Sequence, residues 1–97
     1  MSSYKYAPKR DLNHRRIADK FEELGYAVKD VSMVPGWVDL TISRLGRNHL
    51  IEIKRDDKTT SPSRLKKTSD LAGWWKSPVY VIRSCQDVTA FSLRDKP

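Results

Sequence analysis

Two runs of alternating apolar and polar residues dominate the middle of the chain, Trp37–Arg44 and His49–Arg55, with Gly46-Arg47 between them. Strict alternation predicts β-strands that bury one face. Glycine at the first central position of a two-residue loop predicts a type II′ hairpin. With that turn Thr41 faces Glu52 and Asp39 faces Lys54. Val38, Leu40, Ile42, Ile51 and Ile53 then share one face, and Asp39, Thr41, Ser43, Glu52 and Lys54 the other. A one-residue slip would bury the charges and expose the isoleucines, so the pattern specifies its own register. The diagonal Asp39/Glu52 pair spans roughly 7–8 Å between Cα atoms. Both carboxylates can then converge on one Mg²⁺, whose oxygen ligands sit at about 2.0–2.1 Å.

Helical periodicity flanks this hairpin. Ile17, Ala18, Phe21 and Leu24 recur at helix spacing and predict a first helix over Asp11–Leu24, with Asp11 as N-cap and Gly25 as stop. Asn13 shares a face with Ile17 and is aimed toward the end of the sheet, while Arg15 and Arg16 point outward. Tyr26–Val31 reads as a short strand, and Pro35-Gly36 as the turn into the hairpin. Gly36 lets backbone or phosphate approach Asp39 closely. Ser61-Pro62 opens a second helix that runs to Trp75, with Leu65, Thr68, Ala72 and Trp75 on one face and Arg64, Lys66, Lys67 and Lys76 outside. The Trp74-Trp75 pair reads as core or dimer contact ahead of a base-stacking platform. Val79–Arg83 is continuously apolar up to its arginine and predicts a central parallel strand, with a small strand or helical turn around Val88–Phe91 after it. The order is helix, three strands, helix, strand, an α/β fold whose last strand returns by a helical crossover to make a mixed sheet flanked by helices.

Composition narrows the partners. In 97 residues Lys+Arg outnumber Asp+Glu by 19 to 12, a formal net charge of +7 with a pI near 9.8. Such a balance favours a polyanion, most simply nucleic acid. Met1–Arg10 reads as a flexible basic arm carrying Lys5, Lys9 and Arg10, and residues 11–97 as a single domain. Arg15, Arg16, Arg55, Lys66 and Lys67 are further candidates for phosphate contact. The single cysteine, Cys85, excludes an intrachain disulfide, and no Cys/His cluster has zinc spacing. The absence of a membrane-length apolar run or a signal-peptide core predicts a cytosolic protein. So short a chain with three tryptophans has more apolar surface than one small sheet covers, which predicts a homodimer.

Asp39, twelve residues, then Glu52-x-Lys54 resembles the signature of the PD-(D/E)xK nuclease superfamily. Further pieces resemble its phage-encoded VRR-NUC domains, relatives of Holliday-junction resolvases. They are DLNH at Asp11–His14, Gly25-Tyr26, GWVDL at Gly36–Leu40, GRNHLIEIK at Gly46–Lys54, and W-x-x-x-V-x-V-I-R-S from Trp75 to Ser84. The chain departs from that pattern at Val38, where relatives carry proline, in lacking a glutamine in the second helix, and in having Asn13 or His14 where some branches place a glutamate.

The resemblance implies a restriction-endonuclease-like α-β-β-β-α-β core and a Mg²⁺- or Mn²⁺-dependent DNA endonuclease selective for branched or junction DNA. It assigns Asp39 and Glu52 to the metal, with the Ile53 carbonyl completing the protein ligands, and Lys54 to the attacking water and the developing negative charge. Asn13 would hold a metal-bound water, with Gly36 and Thr41 supporting, and Lys66, Lys67 or Thr68 would stand in for the missing glutamine. His49, on the apolar face, has no catalytic part in this scheme. The competing readings are a catalytically idle DNA-binding module and an RNA-processing nuclease.

Overall fold

A computed structural model describes residues 9–54 and 62–96, with side chains for 12–54 and 67–96. The elements run α1 (Lys9–Glu23), β1 (Ala27–Asp30), β2 (Leu40–Arg44), β3 (Arg47–Ile53), α2 (Pro62–Trp75), β4 (Val79–Ile82) and α3 (Cys85–Arg94). The strands form one sheet in the order β1-β2-β3-β4. β1, β2 and β3 pair antiparallel, and β4 joins β3 in parallel after the α2 crossover. The chain is therefore a small α/β domain with a mixed four-stranded sheet and three helices.

The two faces of the sheet divide as the alternation requires. Leu40, Ile42 and Ile51 are buried on the side of α1, where Ile17 and Phe21 are fully buried, whereas Val38, also buried, lies outside that cluster. Leu24 and Ile53 pack against the rim of that core. Removing side chains of this size from water contributes about 1.5–3 kcal/mol each. The other face carries Glu52 and Val79, which line a cleft with Thr68 and Leu71 of α2. The sheet thus lies between α1 and α3 on one side and α2 on the other.

Four boundaries differ from the sequence reading. α1 begins at Lys9, so Asp11 lies inside the helix rather than capping it, and Lys9 and Arg10 form its first turn rather than part of an arm. Nothing between Lys9 and Glu23 breaks a helix, and propensity carries the turn backward. β4 is an edge strand, with Tyr80 exposed, because a four-stranded sheet ends there. The segment after it is a ten-residue helix, α3. Ser84 Oγ accepts the Asp87 N–H at 3.2 Å, and the Asp87 carboxylate accepts the Arg83 N–H at 2.8 Å. This reciprocal capping starts the helix, and Val88 and Phe91 then complete the core. The expected N-cap Ser61 lies outside the described residues.

The fourth difference is the hairpin turn. Arg44 pairs with Arg47 and Leu40 with Ile51, so the two loop residues are Leu45 and Gly46. Both have positive φ, 56° and 78°, as a type I′ turn demands. Moving a two-residue loop by one position leaves both faces unchanged, because every pairing shifts by two. In this register Arg44 and Arg47 lie side by side, and both reach Asp95 near the chain's end. Leucine in the left-handed region is disfavoured by roughly 1–2 kcal/mol, and Leu45 is exposed, so its side chain offers little in return. Leu45→Asn is expected to raise stability by about 1 kcal/mol, a rise of roughly 4–8 °C in melting temperature by calorimetry.

Candidate active site

Asp39 sits where β2 begins, and its backbone is held from both sides. The Val31 N–H donates to its carbonyl at 2.9 Å, and its own N–H donates to the Ile51 carbonyl at 3.1 Å. Leu40 already faces Ile51, so two residues of one strand meet one of the other, the arrangement of a β-bulge. Beyond it the ladder lacks a backbone acceptor for the Ile53 N–H. The Asp39 carboxylate supplies one, with Oδ2 at 2.8 Å. A carboxylate accepting a backbone N–H makes a bond about twice as strong as a neutral pair. This contact fixes Asp39 beside the strand that carries Glu52.

Glu52 on β3 and Lys54 just past its end project from the face opposite the core. The Lys54 ammonium donates to Glu52 Oε2 at 3.2 Å, and its side chain is only 6 % exposed. The Lys54 N–H donates to the Ile82 carbonyl of β4 at 3.0 Å, which holds the strand end in place. Both side chains open into a cleft of about 740 Å³ formed with Gly36, Trp37 and the Lys67, Thr68, Leu71 and Trp74 side of α2. Gly36 has φ 73°, a value that only glycine adopts freely, and a Cβ there would meet no atom within 4 Å. Its positive φ sets the bend of the chain, and the space around it is open.

The structure brings together part of the predicted set. Glu52, Lys54, Gly36 and Lys67 share the cleft, with Thr68. Asp39 is tied to them through Ile53, although the carboxylate itself is turned to the Ile53 amide. Asn13 points toward the end of the sheet, where its Nδ2 donates to the Arg83 carbonyl at 3.3 Å. It lies outside the cleft, because α1 packs on the opposite face of the sheet. Thr41 lines a separate groove over the β-hairpin. Arg15 and Arg16 are exposed on α1, with Arg15 3.8 Å from Asp19. Lys5 and Arg55, and the side chains of Lys9, Arg10 and Lys66, lie outside the described residues.

The donor set suits a hard cation. Among the described residues no three His, Cys, Asp or Glu side chains gather as a metal-holding group. Two carboxylates and a backbone carbonyl are nevertheless the ligation Mg²⁺ accepts, since it keeps several waters and takes one or two carboxylates. Asp39 Oδ1 has no hydrogen-bond partner among the described residues. In a strand the N–H and C=O of one residue point to the same side, so the Ile53 carbonyl faces the Asp39 edge as well.

A second polar cluster escaped the sequence reading. Asp95, 3 % exposed at its side chain, accepts the Tyr26 hydroxyl at 2.6 Å and meets His49 Nε2 at 3.0 Å and Arg47 at 3.2 Å. The Arg44 guanidinium lies 4.2 Å from the Tyr26 ring centroid and donates to the Asp95 carbonyl at 2.8 Å. Burial opposes ionisation of Asp95, but the Tyr26 hydrogen bond and the charges of His49 and Arg47 outweigh it and hold its carboxyl below the ordinary 3.8. Burial, together with the Asp95 carboxylate, pushes Tyr26 up to about 12. His49, on the core face as expected, is part of this fastening. His14 is likewise buried, 3.2 Å from Asp30.

Comparison with models of known protein families, with curated proteins and with solved structures finds no match to this chain. Among the described residues no helix is long and apolar enough to cross a membrane.

Proposed function

We propose that the chain is a metal-dependent DNA endonuclease built on a restriction-endonuclease-like core, acting on branched or junction DNA. The observation that carries this reading is the end of the hairpin. There the Glu52–Lys54 pair lines one cleft, and the Asp39 carboxylate is held against the Ile53 N–H between those two residues. Asp39, Glu52 and the Ile53 carbonyl would hold Mg²⁺ or Mn²⁺. The ion's chemistry is to polarise a phosphate oxygen and lower the pKa of a bound water. Lys54 would orient the attacking water and donate to the phosphate oxygen on which charge develops. Lys67, which lines the cleft, binds a flanking phosphate. Lys54→Ala is expected to slow cleavage by about 10²-fold or more with little change in metal affinity, measured by metal titration of the rate.

Incubation with branched, flapped and linear DNA, with and without Mn²⁺, tests the assignment. Cleavage that needs the metal and favours branched substrates is the expected result. One feature favours a second reading: the Asp39 carboxylate is spent on the Ile53 amide and does not line the cleft. A catalytically idle DNA-binding module would bind every substrate and cut none. Competition with RNA of the same shape separates an RNA-processing nuclease. Cutting both strands of a junction also requires two sites, so a homodimer belongs to the proposal. Light scattering that gives a monomer at high concentration, with and without DNA, would remove it.

A further inference from the structure

Next to the cleft lies a second groove, of about 470 Å³, over the hairpin beside the C-terminal end of α2. Trp37 lines both cavities. It meets Trp75 edge to face, at 4.9 Å between ring centroids and 82° between planes. These two indoles form one wall of the groove. Its floor carries Thr41, Ser43 and Asn48, whose side chains bond to no other group among the described residues. In chemical terms the groove is an aromatic wall beside hydrogen-bonding side chains, among them the two hydroxyls and one amide of its floor. A phosphate would instead call for cationic lining, and here Lys29 is the one Lys or Arg among the lining residues. A purely apolar partner would leave three polar side chains desolvated without partners, a costly state.

The ligand that satisfies both halves is a nucleobase. It offers a flat π-face to an indole and a polar edge to hydroxyl and amide groups. We infer that this groove receives an unpaired base from the strand whose phosphate lies at Glu52 and Lys54. The inference rests on the nuclease reading for the position of that phosphate, and Trp37, shared by both cavities, is the link between them. A base inside intact duplex is stacked and paired, so only a frayed, flipped or branch-point nucleotide can enter. The groove thereby gives a physical source for preference toward branched DNA.

The test measures binding in excess chelator, where cutting plays no part. The probes are a short single-stranded thymidine oligonucleotide and a blunt duplex, followed by quenching of tryptophan emission. The wild type is expected to bind the single strand with quenching. Trp75→Ala should weaken that binding roughly tenfold, since stacking on an aromatic ring is worth about 1–3 kcal/mol per base. Blunt-duplex affinity should stay unchanged, and Trp75→Phe should retain single-strand binding. Asn48→Ala, at an exposed hairpin position that the core does not need, should by itself weaken the single strand a few-fold. Equal losses on both probes, or no loss in Asn48→Ala, would overturn the inference. So would a dimer that dissociates in Trp75→Ala with binding unaffected, because a second copy of the chain would then be what covers the groove. Selective binding lost in Trp75→Ala by a protein that cuts nothing would keep the groove and remove the nuclease. Metal-dependent cleavage without any effect of the groove variants would do the reverse.

Discussion

Glu52→Gln and Asp39→Asn are each expected to abolish the proposed metal-dependent cleavage while DNA affinity in chelator stays within a few-fold of wild type. The amide replacements are chosen because each keeps the hydrogen bond that holds its neighbour. A carbonyl oxygen at position 39 still accepts the Ile53 N–H, and one at position 52 still accepts the Lys54 ammonium. What disappears is the negative charge, and with it the hard ligand that a divalent ion requires. Polarisation by the ion is worth several kcal/mol in the transition state, so the rate should fall by roughly 10³-fold or more. Affinity follows a different source, the Lys and Arg contacts to phosphate in a chain of net charge +7. Gel-shift titrations and cleavage assays on the same preparations separate the two effects. Equal rates for Glu52→Gln and the wild type, or wild-type cleavage in excess chelator, would take the carboxylates out of the chemistry.

The faces of the hairpin were legible because strand alternation fixes them regardless of which two residues turn. Leu40, Ile42 and Ile51 are buried together in the core, and Glu52 and Lys54 project together on the other side. The exact turn was not legible. Gly46-Arg47 satisfies the local rule, yet the chain uses Leu45-Gly46 and tolerates a leucine at φ 56°. The physical reason lies about fifty residues away. Only this register sets Arg44 and Arg47 side by side, where both reach Asp95, and no local preference in the hairpin encodes that contact. The Asp39 bulge is similarly invisible, because alternation carries no mark of the extra residue that re-aims its carboxylate at Ile53.

The C-terminal helix is a different case, since its signal was present and unused. Ser84-Cys85-Gln86-Asp87 has the spacing of a capping box, and Val88 with Phe91 follows at helix spacing. Asp95 reads in the sequence as an ordinary polar residue near a chain end. Its importance arises only once α3 lays it against β3 and Tyr26. Asn13 shows the limit from the other direction. Its helix face was legible, but the side of the sheet that α1 would cover was not, so its distance from the cleft could only be learned from the fold.

Asp95→Ala is expected to destabilise the protein by about 3 kcal/mol or more. Removing one partner of a buried charged pair typically costs about 3–5 kcal/mol, because the groups left behind stay buried. Here the Tyr26 hydroxyl and His49 lose the acceptor that satisfies them, whereas Arg44 keeps the carbonyl of residue 95 and Ser92. Against a total of about 5–15 kcal/mol for a domain of this kind, the loss is a large fraction. The melting temperature should drop by on the order of 15 °C. Asp95→Asn retains an acceptor for Tyr26 and should lose less. The same cluster sets two pH limits. Asp95 is depressed in the folded protein, so its contribution is complete above the ordinary 3.8 and is lost as pH falls through its lower folded value. Tyr26 is raised, so its contribution is complete below 10.0 and is lost as pH rises toward about 12. Denaturant midpoints across pH should therefore converge for the wild type and Asp95→Ala in strong acid, separate as pH rises toward 3.8, and keep a constant gap above it. Curves that stay parallel through the acid range would show that the Asp95 charge does not fasten α3 to the hairpin.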